Sequence, residues 1–180
     1  MQSRVEIRIA GLGGQGVVLA GQILGRAATY DGKVAVQTQS YGAEARGSAA
    51  RSEVIISDEK VWFPKVRKCD VLVAMSQTAL DTYIKDLKEN GTLIVEQDLV
   101  KQIPEVKAKL FKIPATKIAQ EQLQSKMYAN IIMLGALTKI TQITSERAVE
   151  KAITDAVPPA TRENNLKAFR IGLELAKRSS

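Results

Sequence analysis

The N-terminal stretch constrains the fold more than any other part of the sequence. Apolar and polar residues alternate over 5–9, which predicts a β-strand. The glycine-rich stretch GLGGQG follows at 11–16, and an apolar helical pattern then extends from Val17 to Tyr30, where Asp31-Gly32 ends it. A strand that passes through a glycine turn directly into a helix is typical of α/β folds. We therefore expect a sheet that is covered by helices.

Further strand patterns alternate with helical ones in the next part of the chain. The predicted strands cover 33–39, 51–57, 70–76, 92–100 and 109–115. A helical pattern over 76–91 separates the fourth strand from the fifth, and Gly91 is expected to end it. This order predicts a Rossmann-like, doubly wound and mostly parallel sheet within residues 1–115.

The C-terminal third reads as helical. Apolar residues recur at steps of three and four over 116–141, and Ser145 is a suitable N-cap for a helix over 146–157. Pro158-Pro159 interrupt the chain before a last amphipathic helix over 161–178. We find no internal repeat or low-complexity linker, so we expect one domain over 1–180, with an α/β core in 1–115 and a helical part in 116–180.

The glycine turn is the strongest candidate for a binding site. Gly11, Gly13 and Gly16 match the spacing G-x-G-x-x-G between a predicted strand and a predicted helix, where backbone amides can hold a diphosphate. Val17-Val18 stand where a P-loop needs Lys and Ser or Thr, which excludes that NTPase site. The second strand ends in Gln37-Thr38-Gln39, without the acid that binds the ribose of NAD. The alternative is that the glycines only permit close packing of helix on sheet.

Polar residues that follow two other strands supply further candidates. The stretch QSYGAEARGSAARSE, which begins at Gln39, has small residues that let another surface approach and arginines that can grip an anion. Its alternative is a solvated loop with local ion pairs. Ser76 and Gln77 follow the fourth strand, where doubly wound sheets bind ligands, although Ser76 also suits the N-cap of the next helix. Asn130 is polar within an apolar helix and also suits a buried hydrogen bond.

Composition excludes several classes of chemistry. The chain has no histidine and a single cysteine, so it cannot form a Ser-His-Asp triad, a disulfide framework or an iron–sulfur site of its own. The net charge of +7 suits an anionic ligand or an acidic partner. Its basic residues are scattered and aromatic residues make up only 4%, which argues against nucleic-acid binding. No signal peptide or membrane-spanning run is visible, so we expect a cytoplasmic protein without membrane attachment.

Four stretches, taken in order, resemble one known family. AGLGGQGVVLAGQILGRAA, QSYGAEARGSAARSEVIIS, DVLVAMSQTAL and NIIMLGAL are similar to the gamma subunit, or gamma domain, of 2-oxoacid:ferredoxin oxidoreductases. The resemblance covers nearly the whole chain, and a separate gamma chain of this length looks most like the 2-oxoglutarate or branched-chain 2-oxoacid type. Ser48 departs from the family's loop, which often has a second glycine at that point.

The resemblance implies a role in a larger enzyme. Members of the family convert a 2-oxoacid and coenzyme A to an acyl-CoA and pass electrons to ferredoxin. Thiamine diphosphate, Mg and the iron–sulfur clusters would lie in the alpha and beta subunits or in a ferredoxin-like delta subunit. No residue of this chain would be catalytic, and the chain would not be active alone. Its alternatives are an assembly subunit without a ligand and an autonomous dinucleotide-binding protein.

The resemblance also implies which residues form the site. Coenzyme A would contact the turn and the neighbouring crevice, which comprise Gly11, Gly13, Gly14, Gln15, Gly16, Ser76 and Gln77. Ser40, Glu44 and Arg46 would face the catalytic subunits. An assembly surface of this kind would also permit self-association of the isolated chain.

Overall fold

A computed structural model describes residues 4–42 and 48–178 of the chain. They form a six-stranded sheet in the order β2-β3-β1-β4-β5-β6. The strands are β1 (Arg4–Leu12), β2 (Val34–Tyr41), β3 (Ala49–Ser57), β4 (Cys69–Ala74), β5 (Leu87–Glu96) and β6 (Lys109–Ile113). β1, β4, β5 and β6 pair in parallel, whereas β3 pairs antiparallel with both β1 and β2. The mostly parallel sheet is thus confirmed, with β3 as the one reversed strand among the described residues.

Helices cover the sheet and continue after its last strand. They are α1 (Val17–Tyr30), α2 (Gln77–Tyr83), α3 (Ala115–Leu123), α4 (Ala129–Thr141), α5 (Glu146–Ala156) and α6 (Arg162–Arg178). The bounds of α1 are those that the sequence predicts. Ser145 caps α5 as expected, because its hydroxyl accepts a hydrogen bond of 3.1 Å from the Ala148 amide. Among the described residues, no helix is long and apolar enough to cross a membrane.

The predicted helix over 76–91 is wrong in its second half. α2 ends at Tyr83, a 3₁₀ turn covers Ile84–Asp86, and β5 begins at Leu87. Gly91 lies inside β5, where a Cβ atom would come within 2.8 Å of the Asp70 carbonyl oxygen on β4. The glycine therefore allows two strands to approach closely, rather than ending a helix as its position in the sequence suggested.

The helical stretch over 116–141 is interrupted. α3 ends at Leu123, Gln124 takes a left-handed conformation with φ of 58°, and a 3₁₀ turn over Lys126–Tyr128 leads into α4. The Ser125 hydroxyl accepts a hydrogen bond of 3.4 Å from the Met127 amide in that turn. The break redirects the chain so that α4 is buried along most of its length.

Two apolar cores lie on opposite faces of the sheet. The larger one joins Ile7 and Ile9 of β1 to α1, α3, α4, α5 and α6. The smaller one lies on the other face, where Leu72 and Leu93 pack with Leu80 of α2 and with Val66 and Val100 from two connecting segments. Residues from both the α/β part and the helical part thus contribute to the larger core.

Candidate functional site

The glycine turn between β1 and α1 lies at the edge of the sheet where the parallel strands end. Gly13 and Gly14 are exposed, and a Cβ atom on Gly14, whose φ is 91°, would meet no described atom within 4 Å. The Gly13 amide donates a hydrogen bond of 2.7 Å to the Ser48 carbonyl, and the Gln15 amide donates one of 3.1 Å to the Leu12 carbonyl. The turn is therefore held by hydrogen bonds to Leu12 and Ser48, while Gly13 and Gly14 remain exposed.

The Gln15 side chain holds the turn against the end of β4. Its carboxamide oxygen accepts a hydrogen bond of 2.7 Å from the Leu12 amide, and its nitrogen donates one of 2.9 Å to the Met75 carbonyl. A Cβ atom on Gly11 would lie 2.5 Å from that carboxamide oxygen and 3.1 Å from Met75 Cβ. The Gln15 side chain therefore connects the end of β1 to the end of β4, and Gly11 leaves the space that this side chain occupies.

Helix α4 contacts the turn through one buried side chain. The Asn130 side chain is 3% exposed and donates a hydrogen bond of 3.1 Å to the Gly16 carbonyl. Gly16 has φ of 72°, and a Cβ atom there would overlap the Asn130 amide group. Of the two roles that the sequence leaves open for Asn130, the structure thus gives it the buried hydrogen bond.

The first turn of α1 provides backbone amides that lie before the hydrogen bonds within the helix. The first hydrogen bond of the helix runs from the Ala20 amide to the Gly16 carbonyl at 3.1 Å, so the amides of Val17, Val18 and Leu19 precede the intrahelical ladder. No side chain of the described residues caps this helix, and its first turn has no acidic residue. Such a helix start carries a partial positive charge and favours an anion.

Ser76 and Gln77 lie at the end of β4, beside the turn, but both side chains are engaged nearby. The Ser76 hydroxyl accepts a hydrogen bond of 3.1 Å from the Ala79 amide and so caps α2. The Gln77 oxygen accepts hydrogen bonds from the Lys101 and Gln102 amides at 2.9 and 3.0 Å. Its nitrogen donates to Asp81 and to the Gln102 carbonyl at 2.9 and 2.8 Å. The two side chains therefore organise the wall of the crevice rather than projecting into it.

The connection between β2 and β3 reaches the same edge of the sheet. Ser40 is exposed near the end of β2, and Ser48 contacts Gly13 just before β3 begins. Leu12 pairs with Ala49 in the β1–β3 ladder, which places the two ends of this connection next to the glycine turn. Glu44 and Arg46 lie outside the described residues.

A buried charge cluster beside the smaller core was missed by the sequence analysis. Arg8 is 3% exposed, donates a hydrogen bond of 2.8 Å to Glu53, and also pairs with Asp86. Two guanidinium groups lie over the Tyr83 ring, that of Arg8 at 4.9 Å and that of Arg51 at 5.5 Å from its centre. Burial lowers the pKa of Arg8, but the hydrogen bonds with Glu53 and Asp86 outweigh this effect and leave the pKa above its usual value.

The position of Arg8 in its strand does not indicate that its side chain is buried in ion pairs. The alternation over 5–9 indicates a polar face of β1, whereas the second core covers that face as well. Arg8 alternates with apolar residues in β1, and Arg51 and Glu53 lie two residues apart in the paired strand β3. This spacing is the only sequence signal for the cluster. Nothing in the sequence indicates that Tyr83 joins it.

The site has no side chain suited to nucleophilic or metal chemistry among the described residues. Burial raises the pKa of the Cys69 thiol to about 12, so the group stays protonated near neutral pH. No three His, Cys, Asp or Glu side chains of the described ranges gather as metal ligands.

The turn is open rather than enclosed. A depression of about 560 Å³ lies elsewhere, along the outer face of α1, and includes Arg26, Gln37 and Asp155. A smaller cavity of about 220 Å³ adjoins the turn and is lined by Leu19, Met127 and Asn130, among others. Because small ligands are usually bound in concave sites, a ligand at the turn would need further walls from elsewhere.

Comparisons with known proteins give consistent matches over the whole chain. The family model described as pyruvate ferredoxin/flavodoxin oxidoreductase matches residues 6–175. The 2-oxoglutarate synthase subunit KorC of Methanocaldococcus jannaschii is 56% identical over 180 residues, which cover 98% of this chain and 96% of that protein.

Two solved structures share the fold. The gamma subunit of a keto/oxoacid ferredoxin oxidoreductase from Geobacter sulfurreducens has a TM-score of 0.87 and 46% identity, with 97% of this chain and 99% of that chain covered. A chain of the 2-oxoglutarate:ferredoxin oxidoreductase from Magnetococcus marinus, solved with 2-oxoglutarate, coenzyme A and succinyl-CoA, has a TM-score of 0.90 and 25% identity. That match covers 98% of this chain and 32% of the Magnetococcus chain.

Proposed function

The chain belongs to the pyruvate ferredoxin/flavodoxin oxidoreductase family as a gamma-type subunit of a 2-oxoacid:ferredoxin oxidoreductase, and we propose that its complex acts on 2-oxoglutarate. The proposed reaction is the oxidative decarboxylation of 2-oxoglutarate with coenzyme A to succinyl-CoA and CO₂, with two electrons passed to ferredoxin. The 56% identity to a 2-oxoglutarate synthase subunit supports this choice of acid over pyruvate. A pyruvate synthase subunit from the same organism is only 34% identical.

We propose that the glycine turn binds the diphosphate of coenzyme A. One observation carries this proposal: α1 begins without a capping side chain among the described residues, next to an exposed turn with open space at Gly14. Gly13, Gly14 and Gly16 would leave the backbone accessible, and the first amides of α1 would donate to the phosphate oxygens. The bound coenzyme A in the Magnetococcus relative supports this choice of anion.

The remaining candidate residues have supporting roles in this proposal. Gly11 and Gln15 fix the shape of the turn, and Ser76 and Gln77 fix the neighbouring wall. Ser40, Glu44 and Arg46 would face the catalytic subunits, which would supply the walls that the open turn lacks. This chain would thereby orient coenzyme A and restrict the access of water to it.

The reactive groups would belong to other chains. Thiamine diphosphate with Mg would supply the decarboxylation chemistry from the alpha and beta subunits, and iron–sulfur clusters there or in a delta subunit would carry the electrons. The chain itself has no histidine, and its one thiol is buried with a raised pKa. We further propose that the complex is cytoplasmic, that ferredoxin is its acceptor, and that residues 1–180 act as one domain.

A second candidate function is an assembly subunit that binds no ligand. The side chains of Gln15, Ser76 and Gln77 are all engaged in internal hydrogen bonds, as they would be if the turn served only packing. The two functions differ in whether the turn influences the affinity of the complex for coenzyme A. An autonomous dinucleotide-binding role is disfavoured, because the end of β2 lacks the ribose-binding acid.

Purification of the tagged full chain from its own cells tests the proposed function. The eluate is assayed for coenzyme A-dependent reduction of a low-potential dye with 2-oxoglutarate, pyruvate or 2-oxoisovalerate. We expect the catalytic subunits to co-elute and 2-oxoglutarate to give the highest kcat/KM. Activity with pyruvate alone would contradict the proposed substrate, and elution of the chain without partners or activity would contradict the subunit role.

A further inference from the structure

The segment over 58–68 joins β3 to β4 at the edge of the sheet opposite the glycine turn. Ser57 pairs with Arg4 at the start of β1, whereas the glycine turn follows Leu12 at its end. With about 3.3 Å per strand residue, the segment and the turn are roughly 25 Å apart along the strand. The segment is therefore separate from the proposed coenzyme A site.

Two large aromatic side chains project from this segment into solvent. Trp62 is 81% exposed and Phe63 is 54% exposed. The chain around them is anchored, since Val66 is buried in the smaller core and Val61 packs against it. The Phe63 carbonyl also accepts a hydrogen bond of 3.3 Å from the Arg4 side chain. An anchored segment that displays adjacent Trp and Phe side chains has the composition of a protein-binding hot spot.

Cationic side chains surround the two rings. Lys60 Nζ lies 4.1 Å from the centre of the Trp62 ring, and the Arg67 guanidinium lies 5.5 Å from that of Phe63. We define the aromatic–basic patch as Lys60, Trp62, Phe63, Lys65 and Arg67. The cations of this patch form none of the salt bridges found within residues 4–42 and 48–178.

Two neighbouring carboxylates pair with cations outside the patch. Glu6 pairs with Arg4 at 2.7 Å and Asp70 pairs with Lys88 at 2.9 Å. The patch therefore combines exposed apolar area with positive charge that Glu6 and Asp70 do not pair with.

We propose that the aromatic–basic patch docks onto an acidic surface of another subunit of the oxidoreductase complex. The proposal rests on the proposed function, because it requires that partner chains exist. Trp62 and Phe63 would fill an apolar recess, and Lys60, Lys65 and Arg67 would face carboxylates around its rim. A second copy of this chain is disfavoured as the occupant, since it would bring like charges together. In the Magnetococcus relative, this fold occupies only 32% of a longer chain and is thus joined to further polypeptide.

The single tryptophan makes the patch directly observable. The full chain is labelled with 5-fluorotryptophan, which gives one ¹⁹F resonance, and is mixed with the unlabelled remaining subunits. Co-elution in size-exclusion chromatography reports assembly, and the ¹⁹F resonance reports the environment of Trp62. We expect assembly to shift and broaden the resonance and to reduce its sensitivity to exchange of H₂O for D₂O, because the indole becomes buried.

Variants separate the two parts of the patch. We expect Trp62→Ala to weaken binding to the remaining subunits about 30-fold, as for a tryptophan hot spot. Lys65→Glu with Arg67→Glu should weaken binding about tenfold or more and reduce its dependence on salt. Arg147→Glu with Lys167→Glu, two exposed cations of α5 and α6, is the matched control and should bind as the wild type does.

The outcomes distinguish the two proposals. Failure of the wild-type chain to co-elute with the other subunits would overturn the proposed function and, with it, the docking surface. Normal co-elution with an unchanged ¹⁹F resonance would overturn the docking surface alone. A shift of the ¹⁹F resonance at higher concentration of the chain alone would indicate self-association, and a shift with phosphatidylserine vesicles alone would indicate a membrane surface. Either result would overturn the choice of partner. Equal weakening by both charge-reversal pairs would show a general charge effect and overturn the patch as the cause.

Discussion

The Asn130 side-chain amide lies directly against Gly16 and donates a hydrogen bond of 3.1 Å to its carbonyl. This contact joins α4 of the helical part to the turn that precedes α1. The Asn130 oxygen accepts a hydrogen bond of 2.9 Å from the Ile131 amide, so both sides of the buried carboxamide are satisfied. The C-terminal helices therefore take part in positioning the proposed binding turn.

Gly16→Ala should lower the free energy of unfolding more than Gly14→Ala. Both glycines have positive φ, so each alanine should cost about 1 kcal/mol of backbone strain. Only at Gly16 would the added Cβ atom also overlap Asn130, which should raise the total to about 2 kcal/mol or more. Urea unfolding of the two variants measures the difference, and equal losses would show that the contact with Asn130 is relaxed without cost.

Gln15→Glu should destabilise the fold, whereas Gln22→Glu on the exposed face of α1 should not. At Gln15 the change replaces a donor to the Met75 carbonyl by a second acceptor. Loss of that hydrogen bond with repulsion between the two oxygens should cost about 1–3 kcal/mol. Thermal unfolding of both variants provides the comparison. A midpoint for Gln15→Glu that equals that of Gln22→Glu would argue against the bridge between β1 and β4.

Arg8→Met should cost about 3–5 kcal/mol, because it leaves the Glu53 carboxylate buried without its main partner. Adding Glu53→Leu to this variant should recover part of the loss, since it removes the uncompensated charge. A double-mutant cycle by urea unfolding measures this coupling. Strictly additive effects of the two substitutions would mean that the two side chains do not depend on each other.

The buried thiol should make stability fall at alkaline pH. The pKa of Cys69 is raised to about 12 by burial, whereas an unfolded thiol titrates near ~8.5. The folded state therefore holds the proton more tightly, and this contribution to stability is complete below the unfolded pKa and is lost as the pH rises toward 12. Between about pH 8 and about pH 10.5, the wild type should lose more free energy of unfolding than Cys69→Ala. Urea unfolding with reductant tests this expectation, which equal losses in the two proteins would contradict.

The parts of the fold that local pattern determines could be predicted from the sequence. The helix over Val17–Tyr30, its glycine turn and the N-cap at Ser145 depend on residues close together in the chain. The end of α2 could not be predicted, because 87–91 continues a helical pattern, whereas Leu87 pairs with Cys69 of β4 and packs against the second core. Tertiary pairing there outweighs local propensity.

The positions of the candidate residues in the fold could be predicted, but their contacts could not. The glycine motif locates the turn, and the rule for doubly wound sheets locates Ser76 and Gln77 beside it. The direction of each side chain depends on contacts far apart in sequence, such as Gln15 with Met75 and Gly16 with Asn130. Single-sequence patterns do not contain these distances, so the partners of the Gln15 and Asn130 side chains could not be identified from the sequence.

The affinity of the assembled complex for coenzyme A, with and without Gly13→Val, tests the central claim most directly. The valine side chain should block approach of a diphosphate to the exposed turn while α1 still forms. We expect the Kd for coenzyme A to rise at least about tenfold, whereas the KM for 2-oxoglutarate and the co-elution of the subunits stay unchanged. Thr29→Val, at the far end of α1, is the matched control and should bind coenzyme A normally. An unchanged Kd in an assembled Gly13→Val complex would contradict the claim that this turn binds coenzyme A.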